Sequence, residues 1–331
     1  MIDAIIDEES MRKLIEVSML EGVDYADVFY ERSTDLAITV EGDKVEKVSG
    51  GIEAGVGIRV VYGGRTSYAY TNELTTKSLM ETARVVCRAV KDQRRSNVTL
   101  NLEKTIPSIV FQVRRRPQDV PIADKLKIVK AANDAARGSG NNNDKACIRQ
   151  IGVTYRDSVR DVVIANSFGR YCEDTRVQTL LTVNVTAGHN GVIQSGYESI
   201  GGTVGFELFD EFDVGEVSLK AAKRAVMLLG ARHIEGGSMP VVISSEAGGT
   251  MIHEAIGHGL EADLAQQGLS VYSSRLGAQV ASPVVTVIDD ATLVGKRGSF
   301  RFDDEGTMSQ KTVLVENGIL KQYMYDITTA L

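Results

Sequence analysis

Apolar side chains recur at every third or fourth position in four stretches of the chain, a spacing that predicts amphipathic helices. The four stretches cover residues 8–21, 75–91, 122–137 and 213–232. Residues 24–71 instead alternate apolar and polar side chains in short runs, which is typical of strands with one buried face. The pattern therefore predicts a chain that mixes helices with antiparallel strands.

Two pairs of longer strands are predicted between the third and fourth helices. Residues 148–157 and 158–167 form the first pair, joined by a turn, and residues 170–187 and 192–206 form the second. The second pair flanks an Asn-Gly dipeptide at 190–191, which favours a tight hairpin turn. Helix, strands and helix therefore occur twice along the chain.

This repeated order predicts an α+β fold: two helix/β-meander/helix layers with antiparallel sheets, followed by a partial β-rich catalytic domain. The first α+β domain is predicted at 1–92, a connector at 93–120 and the second α+β domain at 121–233. The last domain, at 234–331, is predicted to be incomplete.

The last region begins with a predicted strand at 240–244 and a helix that runs to about Gln266. Apolar residues of this helix are expected to anchor it against a sheet, and they are Met251, Ile252, Ala255, Ile256 and Leu260. A buried strand at 284–288 follows, and then a hairpin over 312–325 across a second Asn-Gly dipeptide. The segment 268–282 is either a loop or the wall of a substrate path.

Composition narrows the classes of protein to which the chain can belong. Hydrophobic residues make up 43% of the 331, and the formal net charge of −7 argues against a broad nucleic-acid-binding surface. Three cysteines without paired spacing do not resemble a disulfide framework, which favours a reducing compartment. We find no signal-peptide pattern and no stretch of membrane-spanning length. The sequence therefore predicts a cytoplasmic protein with no nucleic-acid and no membrane partner.

Two of the four histidines lie close together, in the run His253-Glu254-Ala255-Ile256-Gly257-His258. Two imidazoles can hold a zinc ion, and a carboxylate beside them can accept a proton from metal-bound water. These residue types predict a metallohydrolase site with His253 and His258 as metal ligands. The other two histidines, His189 at a hairpin tip and His233 at a helix end, are expected on the surface.

The spacing of the paired histidines is unusual for a helix. Side chains four residues apart are offset by about 40° around an α-helix, whereas side chains five apart are offset by about 140°. His253 and His258 converge only if the helix contains a π-bulge, with its i→i+5 hydrogen bond, or loosens at Gly257. The alternative is that both are ordinary histidines, one in a half-buried helix and one at a helix end.

The run from His253 to Asp263 resembles the signature of the TldD/PmbA family of peptidases. Further blocks that resemble TldD lie at 289–292, 297–299, 303–306 and 315–320. PmbA, also called TldE, lacks the histidine motif, so the chain resembles the TldD subunit.

This resemblance implies a zinc metallopeptidase of the cytoplasm that trims peptides or unfolded protein segments. It also implies a homodimer, or a heterodimer with a PmbA/TldE-type subunit. His253 and His258 would be the zinc ligands, and Glu254 would be the general base that acts on metal-activated water. Residues 234–331 would then form the metallopeptidase domain.

The family's third zinc ligand is a cysteine far downstream, and this sequence has none at a matching position. Its cysteines, Cys87, Cys147 and Cys172, all precede the motif. We therefore expect either that the C-terminal part of the protein is missing from this sequence, or that the chain has lost catalysis. In the second case it would be a non-catalytic subunit that binds a peptide or a partner and keeps a vestigial metal motif. Glu261 or Asp263 would be substitute ligands, although the resemblance supports neither.

An acidic turn, Asp303-Asp304-Glu305, leaves two interpretations open. It is either a cluster that supports the metal or the substrate, or a turn with ordinary acidic side chains.

Overall fold

The computed structural model describes residues 6–90, 94, 99–138 and 147–331. The helices in these residues are α1 (Glu8–Ser18), α2 (Thr76–Cys87), α3 (Ile122–Gly138), α4 (Leu208–Glu211), α5 (Val214–Leu228), α6 (Ser245–Ile252), α7 (Ala262–Gln266) and α8 (Ile327–Ala330). The four helices predicted from the apolar spacing correspond to α1, α2, α3 and α5. Three of them begin at side-chain caps: Asp7 accepts the amide hydrogen of Ser10 at 2.8 Å, Thr75 that of Ser78 at 3.2 Å, and Asp213 that of Gly215 at 2.7 Å.

One large sheet contains seven strands in the order β3-β2-β1-β5-β6-β4, with β7 also paired to β6. Its strands are β1 (Tyr25–Glu41), β2 (Lys44–Tyr62), β3 (Arg65–Thr71), β4 (Glu103–Lys104), β5 (Cys147–Asn166), β6 (Arg170–His189) and β7 (Val192–Gly202). All pairs are antiparallel except β4 with β6. A second, three-stranded sheet comprises β8 (Val287–Asp290), β9 (Lys311–Glu316) and β10 (Ile319–Leu320).

The predicted α+β class is confirmed, and the structure adds that the two predicted units share one sheet. Strand β1 from the first unit pairs with β5 from the second, from Asp27 opposite Asn166 to Glu41 opposite Gly152. The boundaries proposed for separate domains stay a prediction.

The predicted turn between 157 and 158 is wrong, because β5 runs without a break from Cys147 to Asn166. Asp157 and Ser158 look like turn residues, but both pair with β1 on one side and β6 on the other. The Asp157 carboxylate is buried and accepts hydrogen bonds from Lys125 Nζ and Tyr155 Oη, each at 2.6 Å. A polar residue can therefore occupy a central strand position here because its hydrogen bonds are satisfied.

Both predicted Asn-Gly hairpins are confirmed. Asn190 and Gly191 have φ of 49° and 81°, and Asn317 and Gly318 have the same values, 49° and 81°. Two successive positive φ angles are the requirement of a type I′ turn, whose twist matches that of the flanking strands. These turns set the register of β6 with β7 and of β9 with β10.

The four long helices cover one face of the large sheet. Helices α1 and α2 pack on Val28, Tyr30 and Ile58, and helices α3 and α5 pack on Val153 and Val183. Side chains alternate along a strand, so Phe29, Ile164 and Cys172 point to the opposite face, where they bury Phe302. The last third of the chain therefore docks on the face without helices.

The acidic turn at 303–305 makes this docking contact. Glu305 Oε1 accepts from Arg59 at 2.6 Å, and Arg59 also binds Asp27 on β1. Asp304 accepts from Arg176 of β6 at 2.6 Å. The turn thus holds the last third of the chain to the sheet, and its carboxylates are not part of the histidine cluster.

The predicted strand at 240–244 is wrong, since residues 231–244 contain neither helix nor strand. Val242 is fully exposed, and no described strand pairs with this segment. An apolar run becomes a strand only where a neighbouring strand accepts its backbone hydrogen bonds. The buried strand expected at 284–288 is only partly correct, because the strand forms slightly later, as β8, and Val284 and Ile288 are 91% and 43% exposed.

Candidate metal site

The histidine motif lies where an α-helix changes its hydrogen-bond pattern. Helix α6 leads into a π-helical turn, His253–Gly257, followed by a 3₁₀ turn, His258–Leu260, and then α7. The amide of His258 donates to the carbonyl of His253, five residues back. The predicted single helix to Gln266 is therefore a helix of changing pitch.

The π-helical turn brings the two imidazoles together. Their ring centroids are 4.4 Å apart and the ring planes are inclined by 72°. Of the two local solutions expected from the sequence, the i→i+5 turn is the one found. Gly257 has a helical φ of −52°, so no left-handed conformation is involved.

One ligand atom from each of His253, Glu254 and His258 lies within 4.8 Å of the others. All three residues are exposed, and the cluster is the one group of three such donors found among the described residues. Imidazole nitrogen and carboxylate oxygen are both zinc ligands. The donor set therefore fits zinc, with Glu254 near enough to bind the metal itself or a water on it.

Glu261 has a different position from the one expected for a substitute ligand. Its Oε1 is 2.8 Å from Nδ1 of His258, and this hydrogen bond, with the charge of the carboxylate, raises the pKa of His258. A carboxylate on one imidazole nitrogen fixes the tautomer that leaves the other nitrogen free for a metal. Asp263 instead accepts the amide hydrogen of Leu264 at 2.8 Å and lies outside the cluster.

The described cysteine side chains do not contribute a third ligand. Cys87 lies against the end of α1, and Cys172 lies against Phe302 beneath the acidic turn. Burial raises the pKa of both thiols, which disfavours the thiolate that binds metal. The side chain of Cys147 lies outside the described part of the chain.

A neighbouring loop supports the motif, and sequence reasoning did not single out its residues. Tyr272 Oη donates to the carbonyl of Ala255 at 3.0 Å, inside the π-helical turn, and Ser270 donates to the carbonyl of Gly259. A Cβ on Gly259 would lie 2.7 Å from two Tyr272 ring carbons, so only glycine permits this packing. The segment 268–282 thus binds two backbone carbonyls of the region where the helix changes pitch.

The expected apolar anchor of the motif is only partly correct. Leu260 is buried with Leu314, Leu320 and Tyr323, but Met251 is 45% exposed and Ile252 37% exposed. The backbone supplies a second anchor, because Ala262 donates to Met324 at 2.9 Å and Met324 donates to Leu260 at 2.8 Å. The motif is therefore fixed at its C-terminal end.

Three domain profiles of one metallopeptidase family match the chain. The PmbA/TldA metallopeptidase domain 1 matches residues 26–92, the central domain 115–229 and the C-terminal domain 236–331. A metalloprotease of Methanocaldococcus jannaschii is 33% identical over 97% of this chain and 69% of its own length. The chain belongs to the PmbA/TldD metallopeptidase family. The family resemblance based on the motif and its downstream blocks is thereby confirmed.

Two further PmbA/TldD relatives have informative names. A metalloprotease TldD homologue of Haemophilus influenzae is 28% identical over 96% of this chain and 66% of its own length. A zinc metalloprotease TldD homologue of Saccharolobus solfataricus is 26% identical over 96% of this chain and 68% of its own length. The chain thus spans about two thirds of the length of these curated relatives.

Solved structures confirm the fold. A protein of Thermotoga maritima, described as a proposed modulator of a DNA gyrase, superposes with a TM-score of 0.79 at 22% identity, over 98% of this chain and 72% of that one. At this identity the likeness establishes the fold alone. Among the described residues, no helix combines the length and the hydrophobicity that crossing a bilayer requires.

Proposed function

We propose that the protein is a zinc-dependent peptidase that cleaves peptides or unfolded protein segments. The observation that carries this proposal is the π-helical turn, which gathers one ligand atom each of His253, Glu254 and His258 within 4.8 Å. Imidazole nitrogens and a carboxylate oxygen gathered this closely form a donor set that would hold a zinc ion.

The three side chains then have distinct roles. His253 and His258 would each hold the metal through one nitrogen, and Glu261 would keep His258 in the correct tautomer. A bound zinc would supply Lewis acidity at a peptide carbonyl and lower the pKa of a coordinated water to about 7. Glu254 would accept the proton of that water and pass it to the leaving amine.

The second candidate function is a non-catalytic subunit that binds a peptide or a partner. One observation favours it: Glu254 itself is the third donor of the described cluster. A Glu254 that ligates the metal is not free to act as a base, and the site would then be structural.

Substitutions at the cluster separate the two functions. Wild-type protein is expected to hold about one zinc per chain by mass spectrometry of the metal and to cleave an unstructured fluorogenic peptide. His258→Ala should lose the zinc, whereas Glu254→Gln should keep it and lose cleavage. The exposed His233 provides a matched control, because His233→Ala should change neither property.

Two outcomes would contradict the proposed roles. Cleavage by Glu254→Gln at normal metal content would exclude Glu254 as the base. Loss of zinc from Glu254→Gln would identify it as a ligand and favour the non-catalytic subunit.

We further propose that the protein acts in the cytoplasm, on a peptide substrate, as a homodimer or with a PmbA/TldE-type subunit. Membership of the family supports this assembly, and 51% of the His258 side chain is accessible to a substrate. Light scattering of the chain alone, and mixed with a PmbA-type subunit, measures the assembly directly. A strictly monomeric chain in both experiments would refute it.

A further inference from the structure

The face of the large sheet opposite the four helices carries a cavity of about 620 Å³. Its walls come from β1, β2, β5 and β6, from the end of β7 and from the loop that follows β8. Arg156 on β5 and Arg297 on that loop both line it, whereas the histidine motif does not. The volume is within the range of sites that bind small molecules or a few residues of a peptide. It is therefore a candidate binding site separate from the metal cluster.

The two arginines differ from their neighbours in having no acidic partner. Three arginines close by are each paired with a carboxylate: Arg160 with Glu31, Arg176 with Asp304 and Arg301 with Asp174. Within the described ranges, Arg156 and Arg297 form no ion pair. Their guanidinium groups therefore remain available to an anion in the cavity.

The acids in the cavity wall do not cancel this charge. Asp157 also lines the cavity, but it is already neutralised by Lys125 Nζ at 2.6 Å. Asp35 is the other acid in the wall, where it accepts a hydrogen bond from Ser33, so the wall holds two arginines against this one remaining acid. The cavity is thus locally basic in a chain whose net charge is −7.

Both arginines stand on backbone that the fold holds in place. Arg156 pairs with Ala37 of β1 and with Leu180 of β6, in the middle of the sheet. Arg297 lies between two carbonyls, of Lys296 and Ser299, that accept the Thr203 hydroxyl at 3.1 and 3.3 Å.

A glycine allows this loop to approach the sheet. A Cβ on Gly202 would lie 2.2 Å from the carbonyl oxygen of Gly295, so a larger residue would push the loop away. The backbone positions of the two arginines are therefore preorganised, so only their side chains must be ordered on binding.

We propose that this cavity binds the acidic side chains of a peptide, so that the protein prefers segments rich in Asp and Glu. Each guanidinium can bind one carboxylate through two parallel hydrogen bonds. Two arginines on separate elements suit two side-chain carboxylates better than the single carboxylate at a chain terminus. Ser158 and Gln178 in the wall add hydrogen-bonding groups for the peptide. The inference rests on the proposed peptidase function only in treating the bound peptide as a substrate.

Fluorescence anisotropy with a labelled ten-residue peptide tests the proposal in EDTA, so that zinc plays no part. The probe contains four Asp or Glu residues and an amidated C-terminus, and the comparison peptide replaces them with Asn and Gln. We expect the acidic probe to bind at least tenfold more tightly, and Arg156→Gln or Arg297→Gln to weaken it about tenfold each. Arg156→Lys keeps the charge but loses the two parallel hydrogen bonds, so its affinity should fall between those of the wild type and Arg156→Gln.

Arg65→Gln is the matched control, because Arg65 is an exposed strand arginine outside the cavity wall. Thermal melting of each variant shows that it is folded. Equal affinity for the two peptides, or equal losses in Arg65→Gln and Arg156→Gln, would overturn the proposal. So would binding that requires a free C-terminal carboxylate, since the chain terminus would then be the ligand.

A separate cleavage assay, with zinc present and the neutral peptide as substrate, distinguishes failure of the acidic-peptide site from failure of the proposed peptidase function. Acidic peptides that bind but are never cleaved would refute only the peptidase. Neutral and acidic peptides that bind and are cleaved equally well would refute only the acidic-peptide site.

Discussion

The long sheet and the histidine motif show opposite relations between sequence and backbone. Strand β5 is paired on both sides along most of its length, and most of the side chains on its helix-covered face are buried. The motif is exposed and departs from the regular α-helix over His253–Gly257. In the sheet the backbone is regular and the side chains pack on it. In the motif the backbone departs from a regular helix, and this departure brings side chains together. Buried packing is therefore concentrated in the first region and the candidate metal ligands in the second.

The same kind of contact has a different meaning in the two regions. Asp157 and Lys125 form a pair whose side chains are each 4% exposed. Glu261 and His258 form a pair whose side chains are 43% and 51% exposed. A buried pair is costly to break because one charge is left without solvent, whereas an exposed pair contributes little to stability. Glu261 should therefore matter for the metal, and Asp157 for folding.

The largest effect on stability is expected at Asp157. Asp157→Ala should lower the free energy of unfolding by about 3–5 kcal/mol, because Lys125 is left buried without a partner. Urea denaturation followed by circular dichroism measures the change. The double variant Lys125→Met, Asp157→Leu removes both charges and should recover much of the loss. A loss below about 1 kcal/mol in the single variant would contradict the contrast between the two pairs.

Glu261→Gln should instead weaken zinc binding and leave stability almost unchanged. We expect the affinity for zinc to fall about 10–100-fold, because the variant no longer holds His258 through a charged hydrogen bond. The unfolding free energy of the metal-free chain should change by less than about 0.5 kcal/mol. A chelator competition titration measures the affinity, with Asp263→Asn as the control. Equal losses in the two variants would show that Glu261 has no specific role.

A third carboxylate, Glu207, is buried and accepts hydrogen bonds from the backbone amides of Arg114, Arg115 and Gly205. Burial alone would raise its pKa, but these amides prevail and the pKa is lowered. The stability that the Glu207 carboxylate contributes is therefore fully present above the ordinary glutamate pKa. It is lost as the pH falls through the lower pKa of the folded state.

Glu207→Gln should remove that acid-sensitive part of stability and cost about 1–2 kcal/mol near neutral pH. Unfolding free energies from pH 7 down into the acid limb measure both effects. The wild type and the variant should converge as the pH falls. A difference in unfolding free energy that stayed constant at every pH would show that the Glu207 carboxylate is not the source of the acid-sensitive stability.

The last comparison concerns the two glycines that flank His258. A Cβ on Gly257 would meet only His253 Nδ1 at 3.8 Å, so Gly257→Ala should be tolerated and could stabilise the turn by up to about 1 kcal/mol. Gly259→Ala should destabilise by about 1–3 kcal/mol, because its Cβ would collide with the Tyr272 ring. Thermal melting compares the two. A larger drop in melting temperature for Gly257→Ala than for Gly259→Ala would show that the π-helical turn, and not the Tyr272 contact, requires glycine.

The regular parts of the fold were accessible from the sequence, and the exceptions have physical reasons. Apolar spacing identified the four long helices, and the Asn-Gly dipeptides identified both hairpins, because these signals depend on neighbouring residues alone. The turn predicted at 157–158 was wrong because Lys125, which satisfies Asp157, is 32 residues away. The strand predicted at 240–244 was wrong because its formation depends on a partner strand that local pattern does not reveal.

The candidate site was likewise predictable from the sequence only in part. Residue types and spacing singled out His253, Glu254 and His258, and they limited the backbone to a few solutions. The roles of Tyr272 and Ser270, and the contact of Glu261 with His258, were not predicted, because no motif encodes a hydrogen bond from a loop to a helical carbonyl. The basic cavity was also not predicted, since Arg156 and Arg297 are 141 positions apart.

By itself, the sequence determined the α+β composition, the hairpin turns and the chemistry available at the histidine motif. These properties follow from side-chain identity and from periodicities of two and about 3.6 residues. Only the tertiary structure decided that the two units share one sheet, that the motif adopts a π-helical turn, and which charges remain unpaired. Those outcomes depend on contacts between distant segments, where burial and hydrogen-bond satisfaction override local preference.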